Sequence, residues 1–224
     1  MIEQFGIITN CTARKRALEP VARLRPAQLK GDAAKVAERW WSAAANTQAM
    51  TTAGELYLGR AMAESKAVAM QLRGSLYVIS AGLGLTAKDD PVPNYDVTVA
   101  SGAGSLAPAL AAAGSNTADW WQELNARKGT PSPLSQLVNR SSATRFLIAL
   151  PSAYVEMLEC DLAQIADKAR ARLCIFTSTS GAKSVPPRLQ ACVLPYDERL
   201  EGQQGYAGTR SDFPQRAMRH FVEK

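Results

Sequence analysis

Asn10, Ser80, Asp96 and the run Arg14-Lys15-Arg16 are residues whose types and placement in this 224-residue chain could do chemistry. The stretch FGIITNCTARKR (5–16) turns from four apolar or small residues straight into an amide, two hydroxyls, a thiol and three cations. A surface loop would account for it. So would a buried strand that delivers polar groups to a site for something anionic, the cations holding phosphates and the amide of Asn10 placing a water or reading an edge of the ligand. Further on, Ser80-Ala-Gly-Leu-Gly-Leu85 is a small-residue turn after an apolar run. Its serine and the backbone N–H groups of Gly82 and Gly84 could cradle a phosphate or a leaving group. Asp96, next to Tyr95 in a Pro- and Asp-rich loop, could orient a water, or could simply close an Asx-turn.

The totals narrow the partners. Lys and Arg number 26 against 20 Asp and Glu, a net charge of +6, which favours an anionic partner, nucleic acid first. The cysteines, Cys11, Cys160, Cys174 and Cys192, form no Cys-x-x-Cys pair, and His220 is the one histidine. That argues against a zinc ribbon and a His-rich metal centre, and it weakens any Cys-His relay through Cys11. No metal or cofactor is expected. No apolar run is long enough to span a membrane, and the acidic N-terminus does not read as a secretory signal. With no disulfide framework, the expected location is the cytoplasm.

Elements must position these residues. A first strand is expected over 5–9, an irregular Arg- and Pro-rich stretch over 18–30, and a helix from Ala33 capped by Asp32. Val36, Ala37, Trp40, Trp41 and Ala44 repeat there at helical spacing, which marks the tryptophans as core. A second helix over 52–72 would put Tyr57 and Arg60 on one face. A buried strand follows over 76–79, and a helix capped by Thr117 runs over 117–127. The second half repeats the alternation: strand 145–150, helix 152–170, strand 173–177, polar loop 178–187, strand 189–194 and helix 213–222. The last helix carries Arg216 and Arg219 on one side, beside Asp212. Such alternation predicts a single α/β domain over 1–224 with a mostly parallel central sheet flanked by helices. Ligands of such sheets collect beyond the carboxyl ends of the strands, where both the 9–16 loop and the Ser80 turn fall.

Three segments together, TNCTARKR (9–16), GELYLGR (54–60) and YVISAGLGL with PNYD (77–85 and 93–96), resemble a bacterial domain-of-unknown-function family related to the YaaA peroxide-stress proteins. The Trp120-Trp121 helix fits as well. The likeness covers 5–127, with 145–224 completing the sheet; Leu83 departs from it, standing where relatives often carry an aromatic residue. The resemblance implies DNA binding, damage responses or modified-base metabolism, and the architecture is similar to that of uracil-DNA glycosylases. A glycosylase must take a base out of the duplex and stabilise positive charge on the sugar. On that reading Asp96 and Asn10 are catalytic, and Ser80, Gly82, Tyr95, Tyr57 and Arg60 bind the substrate. Arg14, Lys15, Arg16, Arg216 and Arg219 hold phosphates of a DNA duplex with a flipped base. Lys15 could alternatively form a Schiff base with the opened sugar.

The expectation is therefore a DNA glycosylase for a modified nucleobase, with a place in defence against phages of modified genome. A non-catalytic DNA-binding stress protein, and a hydrolase or transferase of free nucleotides or nucleosides, remain alternatives.

Overall fold

The computed structural model describes residues 4–16, 31–102 and 104–224; the stretch 18–30 lies outside them. Its chain order begins β1 (Gln4–Asn10), α1 (Ala33–Ala45), β2 (Thr51–Thr52), α2 (Ala53–Leu56), α3 (Arg60–Leu72), β3 (Ser75–Ser80), β4 (Gly84–Ala87) and β5 (Pro91–Val92). It continues with α4 (Ala107–Ala112), α5 (Thr117–Ala126), α6 (Pro133–Arg140), β6 (Thr144–Ala149), α7 (Ser152–Met157), α8 (Glu159–Leu162), β7 (Leu173–Phe176), α9 (Thr179–Ala182) and α10 (Phe213–Glu223). The five-stranded sheet has the order β4-β3-β1-β6-β7, and every pair is parallel except β3 with β4. This is the expected α/β layer with a mostly parallel sheet.

β1 is central because its core can be covered on both faces. Ile7 and Ile8 are fully buried, as a doubly covered parallel strand requires. α3 packs on β1 and β3, and α10 packs on α3, β6 and β7; α1 packs on α5, which also meets α7, α8 and β4. Asp32 caps α1 by accepting from the Lys35 N–H at 2.9 Å, and Val36, Ala37, Trp40 and Ala44 are buried along it.

Several boundaries differ from expectation, each for a local reason. The segment 52–72 is not one helix: α2 ends at Tyr57 in an extended conformation, and Gly59, at φ 101°, precedes α3. Tyr57 and Arg60 therefore do not share a helix face. The apolar stretch 189–194 is no strand: its residues up to Cys192 lie in a 3-10 turn at Pro187–Cys192, where Pro186 and Pro187 supply no N–H for a ladder. Only a single bridge, Ile175 to Val193, survives there. The turn after Ser80 continues into β4, which folds back on β3 as a hairpin. Asn116, rather than Thr117, caps α5, in a reciprocal pair with Asp119. The helix expected over 152–170 breaks at Leu158 into α7 and α8, and a 3-10 turn follows at Asp167–Arg172.

Candidate functional site

The carboxyl ends of β1 and β3 bring Asn10, Cys11 and Ser80 to one edge of the sheet. Strand pairing carries Asn10 opposite Ile79, and the Cys11 N–H adds one more bond, to the Ile79 carbonyl at 2.8 Å. β1 and β6 stay in register only to Ile8 and Ile148. Beyond that they part, since β1 connects towards β3 and β6 towards β7. This is the switch point at which ligands of such sheets enter.

The basic loop is held, not loose. The Arg16 N–H bonds the Leu56 carbonyl and the Leu58 N–H bonds the Arg14 carbonyl, so residues 14–16 run antiparallel to the break between α2 and α3. Arg14 and Arg16 point outward and are exposed. Lys15 alternates inward: it is 9% exposed, donates to the Thr12 carbonyl at 3.2 Å, and lies 4.5 Å from the centre of the Tyr95 ring and 5.9 Å from that of Tyr57. The expected phosphate contact is thereby corrected for Lys15, whose cation is spent on two aromatic faces.

Those rings belong to a buried hydroxyl cluster. The Tyr95 hydroxyl is 2.6 Å from Ser80 Oγ and 2.8 Å from the Tyr57 hydroxyl. Ser80 Oγ also accepts from the N–H groups of Leu83 at 2.9 Å and Gly82 at 3.3 Å. The Gly82 N–H thus serves the turn itself and is not open to a phosphate. A side chain at Gly82 would meet the Tyr95 ring at 2.8 Å, which explains the glycine. Cys11 completes the cluster, its Sγ 3.1 Å from the Tyr154 hydroxyl and accepting from the Ala81 N–H.

Burial, reinforced by the neighbouring Cys11 sulfur, pushes the phenols of Tyr57, Tyr95 and Tyr154 well above their ordinary value. They stay neutral and can donate hydrogen bonds, but none can serve as a base that activates Cys11. Asp96, directly after Tyr95, is exposed.

No family profile, curated protein or solved structure matches this chain. Its site is therefore read from its chemistry. Among the described residues, no group of three or more His, Cys, Asp or Glu side chains is placed to hold a metal.

Arg216 and Arg219 are not phosphate clamps. Arg216 is fully buried: it pairs with Asp212 and Glu201, both at 2.7 Å, and donates to the carbonyls of Tyr206 and Thr209. Arg219 pairs with Glu64 at 2.8 Å and donates to the Gly205 carbonyl, while its guanidinium lies 4.5 Å from the Tyr206 ring centre. Arg60 binds the other oxygen of Glu64 at 3.1 Å and the Ala207 carbonyl. Together these arginines tie the 205–209 segment to α3 and α10. Arg60 is thus a structural tether, separate from the Tyr57 cluster with which sequence spacing had grouped it.

Two residues of the site escaped sequence reading. Tyr154 is a single aromatic in α7. Gln215, from α10, donates to Asn10 Oδ1 at 2.9 Å, to the Ala149 carbonyl at 2.8 Å and to Thr9 Oγ1 at 3.2 Å. The one signal for Gln215 is its place three residues before Met218, on the side of α10 that is buried. A separate cavity of about 870 Å³ opens past the ends of β6 and β7, with Ser152, Ser178, Thr179, Ser180, Glu198 and Arg210 in its wall.

Proposed function

We propose that the protein is a DNA N-glycosylase that releases a modified base from a flipped nucleotide. The observation that carries this reading is the anchoring of the Tyr95 ring. Its hydroxyl is tied to Ser80 and Tyr57, which anchors the backbone from which the exposed carboxylate of Asp96, one residue on, projects.

The chemistry follows from those roles. Water adds its oxygen to the sugar C1′ as the bond to the base nitrogen breaks, and the bonding pair leaves with the base. Asp96 stabilises the positive charge that grows on the sugar and takes the proton that the water loses. Asn10 supplies an amide to the substrate, and the departing base picks up a proton from solvent. Arg14 and Arg16, both exposed beside the site, meet the flanking phosphates. The resemblance of segments 9–16, 54–60, 77–85 and 93–96 to the YaaA-related family, with the modified-base metabolism it implies, supports the same direction; a place in defence against phages with modified DNA is part of this proposal.

The test incubates the purified protein with phage genomic DNAs, unmodified and carrying modified cytosines or thymines. Mass spectrometry looks for free base and an abasic-site probe labels the DNA. Release from one modified genome, lost by roughly 100-fold or more in Asp96→Asn with an unchanged melting temperature, is the expected result. Full activity in both Asp96→Asn and Asn10→Ala would overturn the site assignment. Salt-sensitive binding to every DNA with no release from any would replace it with the DNA-binding reading.

One observation favours a second reading. With Lys15, Arg216 and Arg219 turned inward, the outward cations of the predicted phosphate surface shrink to Arg14 and Arg16 with part of Arg60. A hydrolase of free nucleosides or nucleotides needs no wider surface, and it would release base from the small molecule while ignoring duplex DNA.

A further inference from the structure

The cavity past the carboxyl ends of β6 and β7 has none of Asn10, Ser80 and Asp96 in its wall. Its volume, about 870 Å³, is that of a pocket which encloses a small organic ligand. Both of its sides are held in place. On one side the turns after β6 and β7 approach closely: a side chain at Gly181 would strike Thr177 Oγ1 and come within 3.2 Å of Ser152 Cα. On the other, the fully buried Arg216 binds Glu201, Asp212 and the carbonyls of Tyr206 and Thr209. It thereby fixes the largely exposed segment 201–211, which brings Glu201, Gly208 and Arg210 to the wall. Gly208 belongs to that network, since a Cβ there would meet Arg216 Nε at 2.5 Å and Asp212 Oδ1 at 2.7 Å. A buried ion network is a weak source of stability in itself. Here it gives a polar surface loop one shape, so the wall is formed before any ligand arrives.

The polar groups of the wall divide into paired and unpaired. Glu201 is held by Arg216 and the Gly208 N–H, Asp197 by Arg199, and Ser178 and Ser180 bond each other. Left with no side-chain hydrogen bond or ion pair among the described residues are the Glu198 carboxylate, the Arg210 guanidinium and the hydroxyls of Ser152 and Thr179. Phe213 adds an aromatic surface. A guanidinium takes a phosphate monoester in two parallel bonds, a carboxylate takes ribose hydroxyls, and an aromatic ring takes the face of a base. Arg210 is the one cation in the described wall and stands among carboxylates, which disfavours a longer phosphate chain. We propose that this cavity binds a free ribonucleoside 5′-monophosphate, with its phosphate on Arg210, its ribose hydroxyls on Glu198 and its base against Phe213. The site is separate from the one assigned to base release and does not depend on that assignment.

Calorimetric titration of the full chain tests it, with the adenosine, guanosine, cytidine and uridine 5′-monophosphates, their parent nucleosides and inorganic phosphate as probes. At least one monophosphate should bind saturably with a Kd below about 1 mM. Glu198 and Arg210 are exposed, so their variants should keep the native melting temperature. Arg210→Ala should weaken the monophosphate by roughly tenfold or more and leave its nucleoside unaffected. The 2′-deoxy form should bind the native chain roughly tenfold more weakly, and Glu198→Ala should remove that preference. No binding of any monophosphate up to about 10 mM would overturn the proposal, as would native affinity in both variants. Inorganic phosphate binding as tightly as the nucleotide would reduce the cavity to an anion grip and overturn it too.

Asp96→Asn and Asn10→Ala separate the two sites. Both proteins should bind the monophosphate with native affinity. Loss of binding in either, with an unchanged melting temperature, would put the nucleotide at the Asn10 edge and overturn the proposal. If no DNA loses a base while the monophosphate binds as expected, the glycosylase reading fails and the nucleotide site stands.

Discussion

At the scale of single residues, Arg216 shows how burial turns a helix cation into a structural element. Its guanidinium is shielded from solvent and satisfied by two carboxylates and two carbonyls. Arg216→Met should destabilise the fold by about 3–5 kcal/mol, because Asp212 would be left as a buried charge without its partner. Chemical denaturation of the variant measures this directly. The same pair sets an acid limit. The bond from Arg216 holds the Glu201 carboxyl below its ordinary value. Burial pushes Asp212 up, but its bonds from Arg216 and Thr209 outweigh burial and leave it lowered. A carboxyl whose folded pKa is depressed binds protons more readily in the unfolded chain. Its stabilising contribution is therefore full above about pH 4, near the unfolded value, and is lost as pH falls through the folded one. The urea midpoint should drop on acidification below about pH 4, and less steeply in Arg216→Met; an equal acid slope in both proteins would remove Arg216 as its origin.

Among elements, Asp161 in α8 does for the helical layer what Arg216 does for α10. Its two oxygens accept from Trp121 Nε1 in α5 and from the N–H groups of Leu134 and Ser135 in α6, at 2.8 to 3.0 Å. Burial pushes its pKa up while those three donors pull it down, and burial wins. Asp161→Ala strands three buried donors, each costing about 1–3 kcal/mol. The expected loss of at least about 3 kcal/mol can be read from the thermal or urea midpoint. The break between α2 and α3 makes a second element-scale prediction. Gly59 has φ 101° and open space where a Cβ would stand, so the obstacle to a side chain is backbone strain alone. Gly59→Ala should cost about 1–3 kcal/mol. A neutral result would mean that the break relaxes into continuous helix, which would also withdraw Tyr57 from its bond to Tyr95.

For the whole molecule, the net charge of +6 promises attraction to DNA, but only outward cations release counterions from it. In salt titrations of DNA binding, Arg14→Ala and Arg16→Ala should each reduce the slope of log K against log salt by about 0.9, whereas Arg219→Ala should leave the slope unchanged. A slope that falls equally for Arg219→Ala would place α10 on the DNA after all.

The alternation of elements was legible because burial is periodic along the chain: Ile7 and Ile8 in β1, Val36, Ala37 and Trp40 in α1, and Leu173, Ile175 and Phe176 in β7 carry their fold class in local pattern. The meeting of Asn10 and Ser80 at one sheet edge was legible for the same reason, since parallel strands align their ends. The direction of each cation was not. Arg14, Lys15 and Arg16 are alike in type, and only the pairing of their loop with the α2–α3 break turns the middle one inward. Nor was Gln215, whose bond to Asn10 spans 205 residues of chain. Side-chain period is a local property that a sequence displays directly. Which buried donor meets which acceptor depends on packing that brings distant segments together, and that was decided by the tertiary structure alone.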